Sequence, residues 1–289
     1  MERAFPPAAG PAPSPRRPRL TVPAGACDCH MHVYGPAARF PYAPSTKTLP
    51  PDVPLEAYLA LRQRLGLQRT IFVQPSAYGA DNACVLDAIA RTAPNGRGIA
   101  VIDPAAPEAE IARLHVAGIR GVRFHDMVAG CLPFDVLEPV AARIRPHGWH
   151  VQIQLDGDGL VDLAPRLAAL PVEVVIDHMG RIPVDGGTER AAFKSLLRLL
   201  DTGRCWVKLS APYHVSRAGP PDYRDCAAHA RALIHAAPER MLWGSNWPHP
   251  SVREKPDDAD LLDILADWTD DIAALRKILV DNPAALFGF

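Results

Sequence analysis

The stretch GACDCHMHVYGP, residues 25–36, decides how the rest of the chain is interpreted. It contains an apolar run, residues 26–32, that ends in two histidines separated by one residue and is soon followed by a glycine and a proline. Successive side chains of a β-strand alternate between its two faces. His30 and His32 are therefore predicted to lie on one face of a strand and to direct two imidazoles at one point.

The same alternation makes a prediction for the other side chains of this strand. Asp28 is expected to share the face of His30 and His32. Cys27 and Cys29 are expected to point the other way, toward a layer of helices. We interpret the two thiols as packing groups; the alternative is a metal-binding or redox role, which requires an activated thiolate.

Seven further apolar runs follow, and segments with apolar residues at helical spacing lie between them. The runs cover residues 70–74, 98–102, 119–124, 149–155, 172–178, 205–209 and 241–246. The candidate helices include residues 55–65, 82–93, 108–117, 135–145, 189–201 and 223–236. Alternation of strands and helices indicates an α/β fold with a parallel sheet. Eight units predict a (β/α)8 TIM barrel, a single domain over residues 25–289. An open doubly wound sheet is the alternative, although no G-x-G-x-x-G follows the first run.

Composition narrows the class of partner. The chain has 289 residues, is 48% hydrophobic and carries a formal net charge of −1. This charge favours neither nucleic acid nor an anionic membrane surface, and no apolar run is long enough to cross a membrane. Six cysteines without C-x-x-C pairs indicate reduced thiols in the cytoplasm. Residues 1–24, rich in proline and alanine, are predicted to form a flexible arm. The oligomeric state is left open.

Polar side chains stand where a barrel would place its active site, at the carboxyl ends of the predicted strands. They include His30, His32, Gln74, Ser76, Arg123, His125, Gln154, His178 and Asn246. An H-x-H pair alone is weak evidence for a site, because histidines are often structural. Two further segments, VVIDHMGR at 174–181 and GSNWPHP at 244–250, add weight because each follows a different strand.

With these segments the chain resembles the amidohydrolase superfamily. More narrowly, it resembles the metal-independent group that contains 2-pyrone-4,6-dicarboxylate lactonase and galactarolactone isomerase. The resemblance runs from about residue 25 to the C-terminus, with the motifs in the expected order. The matching stretches are DCHMHVYGP, FPYAP, VQPSAYGADNACVLDAIA, RGIAVIDP, GIRGVRF, GWHVQI, VVIDHMGR, AGPPDYRD and WGSNWPHP.

The resemblance implies a barrel that acts on the carbonyl of a sugar-acid or aromatic-breakdown lactone. It places His30, His32, His178 and the residue at position 246 around that carbonyl. It assigns Arg123 and Arg181 to the carboxylate or ring oxygens of the substrate, and it makes Ser76 a further polar contact.

Other interpretations of these polar residues remain open. Arg123 could form a rim salt bridge with Asp126 or Asp156, and Arg181 could hold its own loop. Gln74 and Gln154 are candidate substrate contacts, or polar filling of the barrel in the absence of a ligand.

Asn246 departs from the superfamily pattern, which has an aspartate at this position. An amide takes up no proton near neutral pH and is a poor substitute for an anionic zinc ligand. We therefore expect no tightly bound metal and no other cofactor, although Zn²⁺ could bind adventitiously at His30, His32 and His178. Asn246 is expected to donate a hydrogen bond to the substrate.

Loss of this carboxylate leaves hydrolysis without its obvious base. A histidine could replace it, because histidine is the commonest general base near neutral pH. The candidates are His30, His32, His125 and His178.

Three functions follow from these residues. The first is a hydrolase of a lactone that carries one carboxylate, in which water attacks the ring carbonyl. The second is a lactone isomerase, in which a hydroxyl of the substrate attacks instead and no carboxylate is needed to activate water. The third is a barrel that binds a sugar acid without catalysis.

Overall fold

Eight parallel strands form the centre of the molecule in the computed structural model, which describes residues 10–11, 16–46, 49–125 and 127–289. The strands pair in chain order. They are β1 Cys27–Met31, β2 Arg69–Val73, β3 Gly96–Ala100, β4 Ile119–His125, β5 His150–Gln154, β6 Val174–Ile176, β7 Cys205–Ser210 and β8 Met241–Gly244.

Helices follow the strands and cover them. They are α1 Leu55–Leu65, α2 Ala83–Thr92, α3 Glu108–Val116, α4 Leu137–Ile144, α5 Leu160–Ala169, α6 Ala191–Asp201, α7 Ala227–Ala236, α8 Asp258–Trp268, α9 Ile272–Arg276 and α10 Asn282–Phe287. A π-helical turn, Lys277–Asp281, joins the last two. No helix in the described ranges combines the length and the apolar character that crossing a bilayer requires.

The first and last strands meet and nearly close the sheet. The Asn246 N–H donates to the His30 carbonyl at 2.7 Å, and the His32 N–H donates to the Trp247 carbonyl at 2.8 Å. Gly244 permits this approach, because a Cβ at that position would lie 2.7 Å from the His30 Cβ. The predicted (β/α)8 TIM barrel is confirmed.

The predicted alternation along β1 is wrong for Asp28 and the two cysteines. The pairing of β1 with β2 shifts register between Asp28 and Met31, and such a bulge breaks the two-residue period. Cys27 and Cys29 join an interior cluster that includes Leu242 of β8. Asp28 instead accepts a hydrogen bond from Tyr58 of α1 at 3.0 Å.

The C-terminal residues close one end of the barrel. The Phe287 ring lies against His150, with ring centroids 5.4 Å apart. The Arg69 and Arg97 guanidinium groups lie over the Phe289 ring, at 5.1 and 4.9 Å from its centroid. A small molecule must therefore enter from the opposite end, where the strands finish.

The described part of the N-terminal arm contacts α8. Arg16 Nη1 donates to Asp263 at 2.7 Å, and the backbone N–H groups of Arg19 and Leu20 donate to the same carboxylate at 2.6 and 3.0 Å. Asp263 is buried, so these contacts hold residues 16–20 against the barrel. The predicted arm also includes residues 1–9 and 12–15, which lie outside the described residues.

Candidate active site

A cavity of about 350 Å³ opens at the carboxyl ends of the strands. Seven of the ten predicted site residues line it. These are His32, Ser76, Arg123, His125, Gln154, His178 and Asn246. Among the described residues that line the cavity, Arg123 is the one permanent cation and none is an aspartate or glutamate. The cavity is therefore suited to an anionic ligand.

The outer wall of the cavity is mostly apolar. Pro50, Pro51, Met127, Val128 and Pro248 contribute to it. Tyr34 and His214 also line the cavity and were not predicted from the sequence. Tyr34 lies two residues before the end of the resemblance motif DCHMHVYGP. His214 follows β7 in a stretch, APYHVS, that has no distinctive pattern.

His30 lies below the cavity and belongs to a buried polar network. Its Nδ1 is 3.2 Å from Asp177 Oδ1 and 3.2 Å from Lys208 Nζ, and Lys208 Nζ is 3.2 Å from the same Asp177 oxygen. Gln152 completes the network: it accepts from Lys208 at 2.6 Å and donates to Asp177 at 3.0 Å. All four side chains are buried.

Asp177 is the carboxylate of this site that sequence reasoning missed. Burial alone would raise its pKa, but the charge of Lys208 and the contact with His30 lower the pKa of Asp177 well below its usual range. It directly precedes His178 at the end of β6, and that strand-end position is the signal that could have identified it.

Two histidines of the cavity have their tautomers set by the backbone. His32 Nδ1 lies 2.8 Å from the Val73 carbonyl, which can only accept, so Nδ1 carries the proton. His125 Nδ1 instead accepts from the Met127 N–H at 3.1 Å. A neutral imidazole has one donor and one acceptor. His32 therefore offers Nε2 as an acceptor, whereas His125 offers its Nε2–H as a donor.

Burial keeps the imidazoles of the site neutral. It lowers the pKa of His30 to about 4 and that of His125 and His214 to about 3. It also lowers the pKa values of His32 and His178 well below the usual range. At neutral pH these rings act as hydrogen-bond donors and acceptors and carry no charge.

Arg123 has no carboxylate partner in the described part of the chain. Its Nη2 donates to Gln154 Oε1 at 2.6 Å and its Nη1 to the Gln74 carbonyl at 3.0 Å. The alternative of a salt bridge to Asp156 is not formed, and Asp126 lies outside the described residues. Neutral groups therefore position the guanidinium, and its positive charge can interact with an anionic ligand in the cavity.

Three predicted site residues do not line the cavity. His30 lies beneath it, as described above. The Gln74 side chain donates to the carbonyls of Gly79 and Asp81, at 2.9 and 2.7 Å, and so holds the loop between β2 and α2. Arg181 acts at a distance: after burial, its charge is the largest influence that lowers the pKa of His214.

Asn246 is connected to a buried carboxylate through two other side chains. Its Nδ2 donates to the Tyr213 hydroxyl at 2.8 Å. The Tyr213 hydroxyl lies 3.0 Å from His249 Nδ1, and His249 Nε2 lies 3.1 Å from Asp258 Oδ1. Asn246 itself has a φ of 61°, in the left-handed region that asparagine tolerates better than most residues.

One group of side chains in the site could hold a metal ion. Ligand atoms of His30, Asp177 and His178 lie within 4.8 Å of one another. The group differs from the predicted zinc site, which contained His32 in place of Asp177. The Lys208 ammonium already contacts His30 and Asp177, so two of the three groups face a resident cation.

Comparison with known proteins gives a consistent result. A model of the family described as amidohydrolase matches residues 27–289. The chain is 38% identical over 285 residues to 2-pyrone-4,6-dicarboxylate hydrolase of Comamonas testosteroni, covering 95% of this chain and 93% of that protein. It is 38% identical over 283 residues to D-galactarolactone isomerase of Agrobacterium fabrum, covering 96% and 94%. An apo crystal structure from Agrobacterium tumefaciens superposes with a TM-score of 0.85 at 37% identity, covering 94% of this chain and 98% of that one.

Proposed function

This chain belongs to the amidohydrolase family, and we propose that it is an enzyme that attacks the carbonyl of a lactone carrying one carboxylate. The observation that carries the proposal is the lining of the cavity, where, among the residues that the structure describes, one arginine without a carboxylate partner lies beside neutral histidines. The two relatives at 38% identity are named as a dicarboxylate hydrolase and a lactone isomerase. A barrel that binds without catalysis is the weakest of the three candidates, because the proton donors and acceptors of an acyl-transfer site are present.

Arg123 binds the carboxylate of the substrate in this proposal. A guanidinium forms two parallel hydrogen bonds to a carboxylate, and such charge-assisted bonds are the stronger kind. Gln154 holds the guanidinium in place and adds no charge. A second carboxylate would find no second cation among the described residues of the cavity, which supports a substrate with one.

The histidines supply the proton transfers. An attacking hydroxyl oxygen forms a bond to the carbonyl carbon and gives its proton to His32 Nε2. The carbonyl oxygen becomes an oxyanion that accepts a hydrogen bond from the His125 Nε2–H. The ring C–O bond then breaks, and the leaving oxygen takes the proton back from His32.

We propose that this reaction needs no resident metal. The side chains that could hold an ion do not fit one well, because Lys208 Nζ lies 3.2 Å from both His30 Nδ1 and Asp177 Oδ1. A divalent ion there would face an ammonium at close range and would be repelled. The Lys208 charge instead keeps Asp177 ionised and His30 oriented.

Hydrolysis is the first candidate reaction, with water as the attacking group and a ring-opened acid as the product. Isomerisation is the second, with a hydroxyl of the substrate as the attacking group. The observation that favours isomerisation is Asn246, because an amide cannot accept the proton of water and no described carboxylate lines the cavity.

A panel of aldaric and aldonic lactones followed by NMR tests the proposal. Consumption of at least one lactone that has a single free carboxylate is expected, after treatment of the protein with a chelator. Appearance of the open acid identifies hydrolysis, and appearance of a second lactone identifies ring migration. No turnover of any member, or turnover that stops on chelation and returns with Zn²⁺, contradicts the proposal.

We also propose that the protein acts in the cytoplasm. The support is its six free cysteines, five of them buried, since reducing compartments keep thiols unpaired. Fractionation of the source cells tests this location.

A further inference from the structure

Asn246 is the first residue in a series of side-chain hydrogen bonds that runs from the cavity into the protein interior. The series continues through the Tyr213 hydroxyl and the His249 imidazole to the Asp258 carboxylate, with links of 2.8, 3.0 and 3.1 Å. His249 and Asp258 are buried, and neither they nor Tyr213 line the cavity. The direct contacts proposed above with the substrate do not use these three residues.

The direction of each hydrogen bond follows from the Asn246 end. The amide Nδ2 can only donate, so the Tyr213 oxygen accepts from it. The Tyr213 O–H is then left to donate to His249 Nδ1. His249 Nε2 in turn faces the Asp258 carboxylate as a donor.

We propose that Tyr213, His249 and Asp258 are positioning residues that hold the Asn246 amide with its Oδ1 toward the cavity. No residue in the described ranges donates to that oxygen. Oδ1 therefore accepts a hydrogen bond from a second O–H at the reacting centre, which is the other O–H of an attacking water or a lactone hydroxyl next to the attacking one. This differs from the expectation from the sequence, in which Asn246 donates to the substrate.

The consequence for catalysis rests on the proposed function. The O–H that Asn246 accepts is not the one whose proton passes to His32, so Asn246 orients the attacking group without competing with His32 for that proton. Orientation of this kind acts on the transition state, so its loss lowers kcat more than it raises KM.

A double-mutant cycle tests the kinetic consequence. Tyr213→Phe removes only the hydroxyl and is expected to lower kcat by about tenfold or more with little change in KM. In the Asn246→Ala background the same change is expected to have no further effect, because Tyr213 acts through Asn246. The control is Tyr223→Phe, a buried tyrosine whose ring centroid lies 6.4 Å from that of Tyr213. Equal losses from Tyr213→Phe in both backgrounds would show a merely structural role.

Side-chain amide NMR tests the orientation without any substrate. The Asn246 amide signals are assigned by their loss in Asn246→Ala. They are expected to shift in Tyr213→Phe, and also in Asp258→Asn, because an amide at position 258 can donate to His249 and reverse the directions of the hydrogen bonds. They are expected to keep their positions in Tyr223→Phe. Shifted signals with no lactone turned over would leave this inference standing and overturn the proposed function. Unshifted signals in both variants of an active enzyme would overturn the inference alone.

Discussion

At the scale of single residues, Arg123 carries the proposed recognition of the substrate. Arg123→Met keeps the apolar stem but removes the charge, and it is expected to weaken substrate binding by ~1.5–3 kcal/mol, the value of a hydrogen bond to a charged group. Steady-state kinetics measure this as a raised KM. Arg143→Met is the matched control, because Arg143 pairs with Glu108 on the outer surface. Unchanged KM with a lowered melting temperature would assign Arg123 a structural role.

Asn246 is the residue that separates the two candidate reactions. Asn246→Asp restores a carboxylate, which raises the pKa of neighbouring imidazoles and gives water a competent base. An isomerase should then gain ring-opening activity, whereas a hydrolase should keep its product and shift its pH profile. NMR assays of both products across pH measure this. A variant identical to the wild type in both respects would place residue 246 outside the reacting centre.

Lys208 is expected to exclude divalent metal from the site. Two charges 4 Å apart at an effective dielectric constant of 20 repel by about 4 kcal/mol. Lys208→Met should therefore raise Zn²⁺ affinity by about 100-fold or more, with His30, Asp177 and His178 as ligands. Isothermal titration with Zn²⁺ measures the change, and Lys208→Arg, which keeps the charge, is the control. Equal Zn²⁺ affinity in the wild type and Lys208→Met would show that Lys208 does not exclude the metal.

At the scale of secondary structure, the closure of β1 on β8 depends on Gly244. A methyl group there would meet the His30 Cβ at 2.7 Å and the His30 backbone nitrogen at 2.9 Å. Gly244→Ala is expected to cost ~1–3 kcal/mol of unfolding free energy, the usual range for overpacking, and to displace His30. Urea denaturation measures the loss, with Gly159→Ala as the control because nothing lies within 4 Å of a Cβ there. Equal stabilities of the two variants would show that β1 tolerates the displacement.

The strands and helices show which features of the fold a local sequence pattern can predict and which it cannot. The eight runs were found because apolar strands buried on both faces are continuous in sequence. Helices α5, α8, α9 and α10 are not among the candidate helices named from the sequence. Pro165 stands inside α5, and proline usually ends a helix. The bulge in β1 depends on the pairing with β2, which no local pattern records.

The site residues that could be predicted from the sequence are those that stand at the carboxyl ends of the predicted strands. Strand-end position identified Arg123, His125 and His178 as neighbours in space. It could not show that the Gln74 side chain donates to the loop after β2 and not to a substrate, since an amide serves equally well for either contact. It also could not show that Asp177 is ionised beside Lys208, because that pair joins two different strands.

At the scale of the whole molecule, the many buried neutral histidines couple folding to pH. Burial lowers the pKa of His30 to about 4 and those of His125 and His150 to about 3. Unfolded histidines titrate near pH 6.5. Between pH 6.5 and about 4 the unfolded chain therefore binds protons that the folded protein does not bind. Asp28 has the opposite effect, because burial raises its pKa to about 6.

The effect of several histidines outweighs that of one aspartate. The unfolding free energy is therefore expected to fall as pH falls from 6.5 toward 4. Each such histidine contributes up to ~1.4 kcal/mol per pH unit. Urea denaturation at a series of pH values measures the slope, which gives the difference in bound protons. His150→Met should reduce that slope by about one proton, because His150 is buried without a hydrogen-bond partner for either ring nitrogen in the described structure. An unfolding free energy that stays constant from pH 7 to 5 would show that these imidazoles are protonated in the folded protein, and the neutral site on which the proposed proton transfers depend would be excluded.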